Sequence, residues 1–194
     1  MLYNIDSSVA YSNELQMSNF IYQSLSESND NIKSCYGSRG LKAVSKKLGA
    51  KNTYRFNNEE YGKRFLLPEL NKWSSKFAKL LSYLNKCDHP VFIYSYFTPS
   101  GIIPLAFMLE MNGYKRYKMH SNPLLENKYK SNKYRGDYII YTGNEKLSTY
   151  AKHFFDKRKD MIHENNVKIV LGSRKASEGL NLFGFREVHI MDPW

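Results

Sequence analysis

Three short polar steps follow three apolar runs in this sequence. Ser95-Tyr96 follows VFIY, Thr142-Gly143 follows DYIIY, and Ser173-Arg174 follows VKIVLG. Hydroxyls, backbone N–H groups and a guanidinium hold sugar and phosphate without reading a base. Such contacts suit a protein that must grip any sequence. In a parallel sheet the carboxyl ends of the strands share one edge, and ligands bind beside it. The three steps are therefore expected together. Further on, Gly179 either lets the backbone approach a bound group closely or caps a helix.

Those positions need strands to carry them. VFIYS (91–95), DYIIYTG (137–143), VKIVLGS (167–173) and EVHIM (187–191) are short apolar runs rich in β-formers, as buried strands require. Between them the periodicity changes to three and four. Leu70, Trp73, Phe77, Leu80, Leu81 and Leu84 predict one helix across 70–87. Thr98-Pro99-Ser100 opens another, IIPLAFMLEMN forms its body, and Gly113 stands where a glycine cap belongs. Residues 145–163 read as helical, and a short helix is expected after 173. Nearer the N-terminus, Leu15, Phe20, Ile21 and Leu25 predict a helix over 14–25, and a second is expected near 39–48. The charged stretch 49–69 receives no assignment. The expected fold is α/β, a RecA-like parallel sheet with helices on both faces. It occupies 70–194, behind a mostly helical or irregular linker or extension over 1–69.

Composition points to a partner. The 194 residues carry a formal net charge of +11, with 16 Tyr and 11 Phe. A basic surface attracts polyanions by releasing their counterions, and aromatic rings can stack on bases. The stretch 115–136 concentrates this charge: Lys115, Arg116, Lys118, Lys128, Lys130, Lys133 and Arg135 stand against one acid, Glu126. It reads as a basic surface loop, with Lys128, Lys130 and Lys133 as candidate nucleic-acid contacts or as a solvated face. An AT-rich coding sequence would also enrich Lys, Asn and Tyr. Cys35 and Cys87 lie far apart without a CxxC spacing, and the five histidines form no ligand pattern, so no metal site is expected. His189 reads as a core histidine, Trp73 and Trp194 as packing residues, and Asp192 as an acid that orders the chain end. Apolar runs fall short of the roughly 18 residues that span a bilayer. The first residues lack the layout of a secretory leader. An intracellular, soluble protein with no membrane partner is expected.

Two absences bear on chemistry. The sequence holds no GxxxxGK[ST] phosphate cradle and no DExH-like acidic pair after a strand. No residue is assigned a catalytic role. ATP and Mg2+ would be held only if another lobe or chain completed the site.

The stretch VKIVLGSRKASEGLNLFGFREVHIMDPW (167–194) resembles motif V of superfamily 2 helicases and the strand leading to motif VI. Its wording is nearest to helicases of poxviruses, large DNA viruses and linear plasmids, including the small subunit of the poxvirus early transcription factor. GLNL and DPW also resemble Snf2-type translocases. PVFIYSYFTPSGIIPLAFMLEMNGY (90–114), preceded by SSKF (74–77), is similar to motif IV of that viral group, and YIIYTGN (138–144) to the strand that follows. The resemblance covers 70–194 well and 1–69 poorly. It implies the second RecA-like lobe of an ATP-dependent helicase or translocase used in viral transcription or replication. Partners would be DNA or RNA and a complementary first lobe or polymerase-associated subunit, in cytoplasm or virion. It places Glu178, Gly179 and Asn181 on the nucleotide side, although Glu178 also reads as a surface or capping acid. Many relatives have aspartate where Asn181 stands. Ser95, Tyr96, Thr142, Gly143, Ser173 and Arg174 become the candidate sugar–phosphate contacts; Arg174 also reads as a surface ion pair. Motif VI, with its QxxGRxxR arginines, would follow Trp194, so the chain is expected to lack them and to be inactive alone. Losing an arginine finger costs about 10³–10⁵ in rate. The rival is a non-catalytic nucleic-acid-binding or scaffold protein with a RecA-like fold. A Rossmann-like enzyme is disfavoured, because no GxGxxG follows a predicted strand.

Overall fold

The computed structural model describes residues 12–49, 52–119, 123–129, 131–161, 166–177, 180 and 184–192. Its first helix, α1 (Ser12–Asn19), is shorter than the periodicity predicts. Asn19 and the residues after it find partners far along the chain instead. Ile21 N–H donates to Trp73 O at 3.2 Å and Tyr22 N–H to Cys35 O at 2.8 Å. Phe20 and Tyr22 are fully buried, whereas Leu25 is exposed. α2 (Gly37–Val44) likewise stops early. Ser45 turns extended and begins β1 (Ser45–Leu48), which pairs antiparallel with β2 (Thr53–Phe56). α3 (Glu59–Lys63) follows, capped by the Asn58 side chain accepting from Glu60 N–H at 3.0 Å. The unassigned stretch 49–69 thus contains a strand and a helix.

The helix expected over 70–87 is two: α4 (Leu70–Trp73) and α5 (Ser75–Leu84). Ser74 breaks it, with φ −162° and its hydroxyl capping Phe77 N–H at 3.0 Å. Such a cap stabilises a helix by about 1 kcal/mol. β3 (Val91–Tyr94) is buried throughout. A π-helical turn over Thr98–Ile102 leads into α6 (Ile103–Met111), where every residue from Ile103 to Glu110 is buried. A helix apolar all round belongs inside a protein. β4 (Tyr114–Arg116), β5 (Gly136–Tyr141), α7 (Ala151–Met161), β6 (Val167–Gly172) and β7 (Glu187–Ile190) complete the order. A one-turn helix covers Arg174–Ser177.

Among the described residues the main sheet has five strands in the order β4-β5-β6-β3-β7, all parallel. This is the α/β, RecA-like arrangement. Alternation along the strands sorts the core into two faces. Val91, Ile93, Tyr138, Ile140, Ile169 and Leu171 join α5, α6 and the N-terminal segment. Phe92, Tyr94, Ile139 and Val170 join α7 and Ala176. The first face also holds Phe20, Tyr22, Phe56 and Phe65, so residues before 70 share one apolar cluster with Phe77 and Phe107. Phe20 stacks on Phe65 at 4.6 Å, and Phe65 meets Phe107 edge-on at 5.6 Å. β7, expected to be buried, is an edge strand instead. It pairs with β3 alone among the described strands, and Val188 and Ile190 are exposed.

The basic stretch 115–136 departs from a plain surface loop. Arg116 is buried in β4 and donates to Leu147 O at 2.7 Å. Leu124 and Leu125 are fully buried, their N–H groups donating to the Glu110 carboxylate at 2.9 and 2.7 Å. Tyr138 OH adds a third bond to Glu110 at 2.7 Å. Burial pushes the Glu110 carboxyl above its ordinary value despite these donors. Tyr54 N–H donates to Leu124 O at 2.6 Å, joining the loop to β2.

Candidate functional site

The registers bring the three polar steps to one edge. Tyr94 aligns with Gly172 and with Ile190, and Gly172 with Tyr141. Ser95, Ser173 and Thr142 therefore begin where neighbouring strands end. Ser95 N–H donates to Gly172 O and Ser173 N–H to Tyr141 O, each at 3.0 Å. The edge divides into two halves of different character.

The β3–β7 half is closed. Asp192 is buried and receives three donors: Ser95 Oγ at 2.7 Å, Asn19 Nδ2 at 2.9 Å and Tyr96 N–H at 2.5 Å. Lys76 Nζ donates to Asn19 Oδ1 at 2.9 Å and Met191 O at 2.6 Å. Burial holds the Lys76 amine below its ordinary value, while Asp192 pulls the other way. Ser74 Oγ donates to Asn19 O at 2.5 Å, so α1, α4 and α5 all lean on this latch. Ser95 is wholly buried, its hydroxyl committed to Asp192. The Tyr96 ring is exposed and meets Phe97 edge-on at 5.2 Å. Gly101 packs so close that a Cβ there would lie 1.8 Å from Ser95 Oγ. Asp192, expected to order the chain end, binds that end to Asn19, Ser95 and the Tyr96 N–H.

The β5–β6 half is open. A cleft of about 580 Å³ lies over it, lined by Thr142, Ser148, Lys152, Phe155, Lys175 and Leu180, with Glu145 and Asp156 also at its wall. Thr142 is buried, and its N–H donates to Ser148 Oγ at 2.8 Å. Gly143 is exposed, with open space where a Cβ would stand. Tyr141 meets Phe155 edge-on at 5.4 Å beneath the cleft. Ser173 is buried and Arg174 exposed. Gly172 lets the Arg174–Ser177 turn pack down, since a Cβ there would meet Phe92 at 2.4 Å and Ala176 at 2.8 Å.

The nucleotide-side candidates Glu178, Gly179 and Asn181 lie outside the described residues, as do Lys130 and Trp194. Leu180, between them, lines the cleft. The described loop lysines, Lys128 and Lys133, are not gathered at the carboxyl edge. Lys128 is exposed, 3.3 Å from Glu59 of α3. Lys133 precedes β5 and lies against Gly113, which precedes β4, at the amino edge.

Sequence reasoning missed several residues. Lys152 and Phe155 belong to a predicted helix, but only the fold turns them toward Thr142. Asn19 is separated from Asp192 by most of the chain, and nothing local marks it. Cys87, His89 and Glu187, which no local spacing links, meet at the amino edge. His189, expected in the core, is half-buried with Nε2 3.3 Å from Glu187 Oε2.

Three curated viral proteins are similar to this chain. One, named as an ATP-dependent RNA helicase of Acanthamoeba polyphaga mimivirus, is 27% identical over 174 residues, 86% of this chain and 28% of the relative. A helicase of Invertebrate iridescent virus 3 is 29% identical over 132 residues, 64% of this chain and 12% of its own. A termination factor NPH-I homolog of African swine fever virus is 25% identical over 146 residues, 62% of this chain and 21% of its own. The chain thus spans less than a third of each relative's length. No family model and no solved structure matches it.

Proposed function

We propose, from the chain's relationship to viral superfamily 2 helicases, that it is the second RecA-like lobe of an ATP-dependent nucleic-acid motor. The observation that carries this reading is the divided carboxyl edge. Ser95, Thr142 and Ser173 directly follow three parallel strands, and among the described residues a cleft lies beside the β5–β6 half.

In this reading the cleft is the track. Lys152 and Lys175 neutralise backbone phosphates, and the exposed Gly143 backbone admits a strand closely. The acids Glu145 and Asp156 keep the wall from being uniformly positive, so grip stays weak enough for release. Arg174, at the start of the one-turn helix, adds a phosphate contact. Gly179 and Asn181, with Glu178 beside them, face a nucleotide held mainly by a first lobe. That lobe supplies the phosphate cradle and the acids for Mg2+, which these 194 residues do not contain. The buried Ser95 acts indirectly, by fixing the latch beneath Tyr96.

Fluorescence anisotropy with labelled single- and double-stranded DNA and RNA tests this at graded salt. Lys152→Gln with Lys175→Gln should weaken binding evenly across sequences. The salt slope should flatten by up to about one unit per lost phosphate contact. Lys128→Gln with Lys133→Gln should change it less. If only the loop pair flattens the slope, the track does not run through the cleft. Purified chain alone should show no ATP turnover; robust turnover that Gly179→Trp abolishes would overturn the half-site reading.

A further inference from the structure

Two alternate-residue pairs converge at the amino edge, far from the cleft. Cys87-Asp88-His89 leads into β3, and Glu187-Val188-His189 opens β7. Val91 is in register with Glu187 and Ile93 with His189, so the lead-in to β3 runs beside the start of β7. In an extended chain residues two apart face the same side, which aligns Glu187 with His189. One ligand atom each from Cys87, His89 and Glu187 lies within 4.8 Å of the other two. His89 Nε2 is 2.7 Å from Glu187 Oε1, and His189 Nε2 is 3.3 Å from Oε2. Cys87, His89, Glu187 and His189 are all half-buried.

We propose that this cluster is a zinc site, with Cys87, His89 and Glu187 as ligands, a water in the fourth position and His189 beside the Glu187 carboxylate as an outer partner. The chemistry of the donors selects the metal. A thiol, an imidazole and a carboxylate form a mixed set that binds zinc tetrahedrally, with bonds of about 2.0–2.3 Å. Ligand atoms in such a site lie roughly 3.3–3.8 Å apart. His89 and Glu187, now 2.7 Å apart, must open by about 1 Å and the wider donor pairs close by about as much, both within the reach of side-chain rotation. An outer partner is already present: the Tyr83 hydroxyl donates to Glu187 Oε1. Groups of this kind orient ligating carboxylates. The site would clamp two segments, namely the connection from α5 to β3 and the edge strand β7. β7 has β3 as its partner strand on one side alone among the described residues, so a metal clamp would hold the strand most in need of one.

The full chain, stripped with chelator and kept reduced, is titrated with Zn2+ against a chromophoric competitor and with Co2+ by absorption. One equivalent should bind. The cobalt form should show tetrahedral d–d bands and a thiolate charge-transfer band, which reports Cys87 without any substitution. Zinc should raise the melting temperature by mass action on the folded state. Cys87→Ser and His89→Gln should each weaken zinc at least tenfold, whereas His153→Gln should leave it unchanged. Circular dichroism of the metal-free variants checks that they fold. Absence of stoichiometric binding, a cobalt spectrum without thiolate character, or affinity indifferent to both ligand substitutions would overturn the proposal.

Discussion

The two halves of the carboxyl edge carry similar residues and use them differently. Ser95 and Thr142 both follow a buried strand, and both are buried hydroxyls. Ser95 donates to a buried carboxylate that also gathers Asn19 and the Tyr96 N–H. Thr142 makes longer bonds, with Asn144 O at 3.4 Å and Ser148 Oγ at 3.3 Å, on the floor of an open cleft. A strand-end hydroxyl is thus a position, and what it does depends on which distant residues reach it. One half is committed to holding the N-terminal segment, while the other keeps an open cleft among the described residues.

Removing the latch should have the largest effect. Asp192→Ala takes the carboxylate from Asn19 Nδ2 and Tyr96 N–H, leaves Ser95 Oγ the longer bond to Phe97 O at 3.3 Å, and should cost about 3 kcal/mol, read from the urea midpoint. A loss below about 1 kcal/mol would mean that water replaces the carboxylate and the half is not closed. Gly101→Ala comes next, at about 2 kcal/mol, because the new methyl collides with Ser95. In a Ser95→Gly background the same change should cost less than half as much, and strict additivity would contradict the contact. Ser95→Ala should cost about 1–2 kcal/mol and Thr142→Val under about 1 kcal/mol. The reverse order would invert the comparison. Smallest of all, Lys152→Gln with Lys175→Gln should leave the urea midpoint unchanged while weakening nucleic-acid binding. A stability loss there would assign the cleft lysines to the fold.

Most of the sheet was readable because β3, β5 and β6 are apolar on both faces, a pattern that local sequence states without help. β4 was not, since Tyr114-Lys115-Arg116 looks like surface until Arg116 finds the Leu147 carbonyl. β7 reads as buried from its composition, yet it lies at an edge, and no local signal gives strand order. In the N-terminal segment, Thr53-Tyr54-Arg55-Phe56 alternates as a half-buried strand should, with Tyr54 and Phe56 inward. The flanking charges hid that signal. The carboxyl-edge placement of Ser95, Thr142 and Ser173 followed from strand polarity alone. Which half would be open did not, because Asn19 and Asp192 meet only in three dimensions.

Strand order has a consequence for how the chain is made. β3 sits between β6 and β7, both of which follow it at a distance in the sequence. A ribosome adding about 5–20 residues per second finishes Val91 roughly 5–20 s before Glu187. Until β6 emerges the apolar strand has neither neighbour, from then until β7 it has one, and pairing between such distant segments is slow even once both exist. The N-terminal segment, α5 and α6 are available to cover one of its faces. The nascent chain therefore offers holding chaperones a defined sticky segment, VFIY, and its dependence on them should end when the last strand emerges.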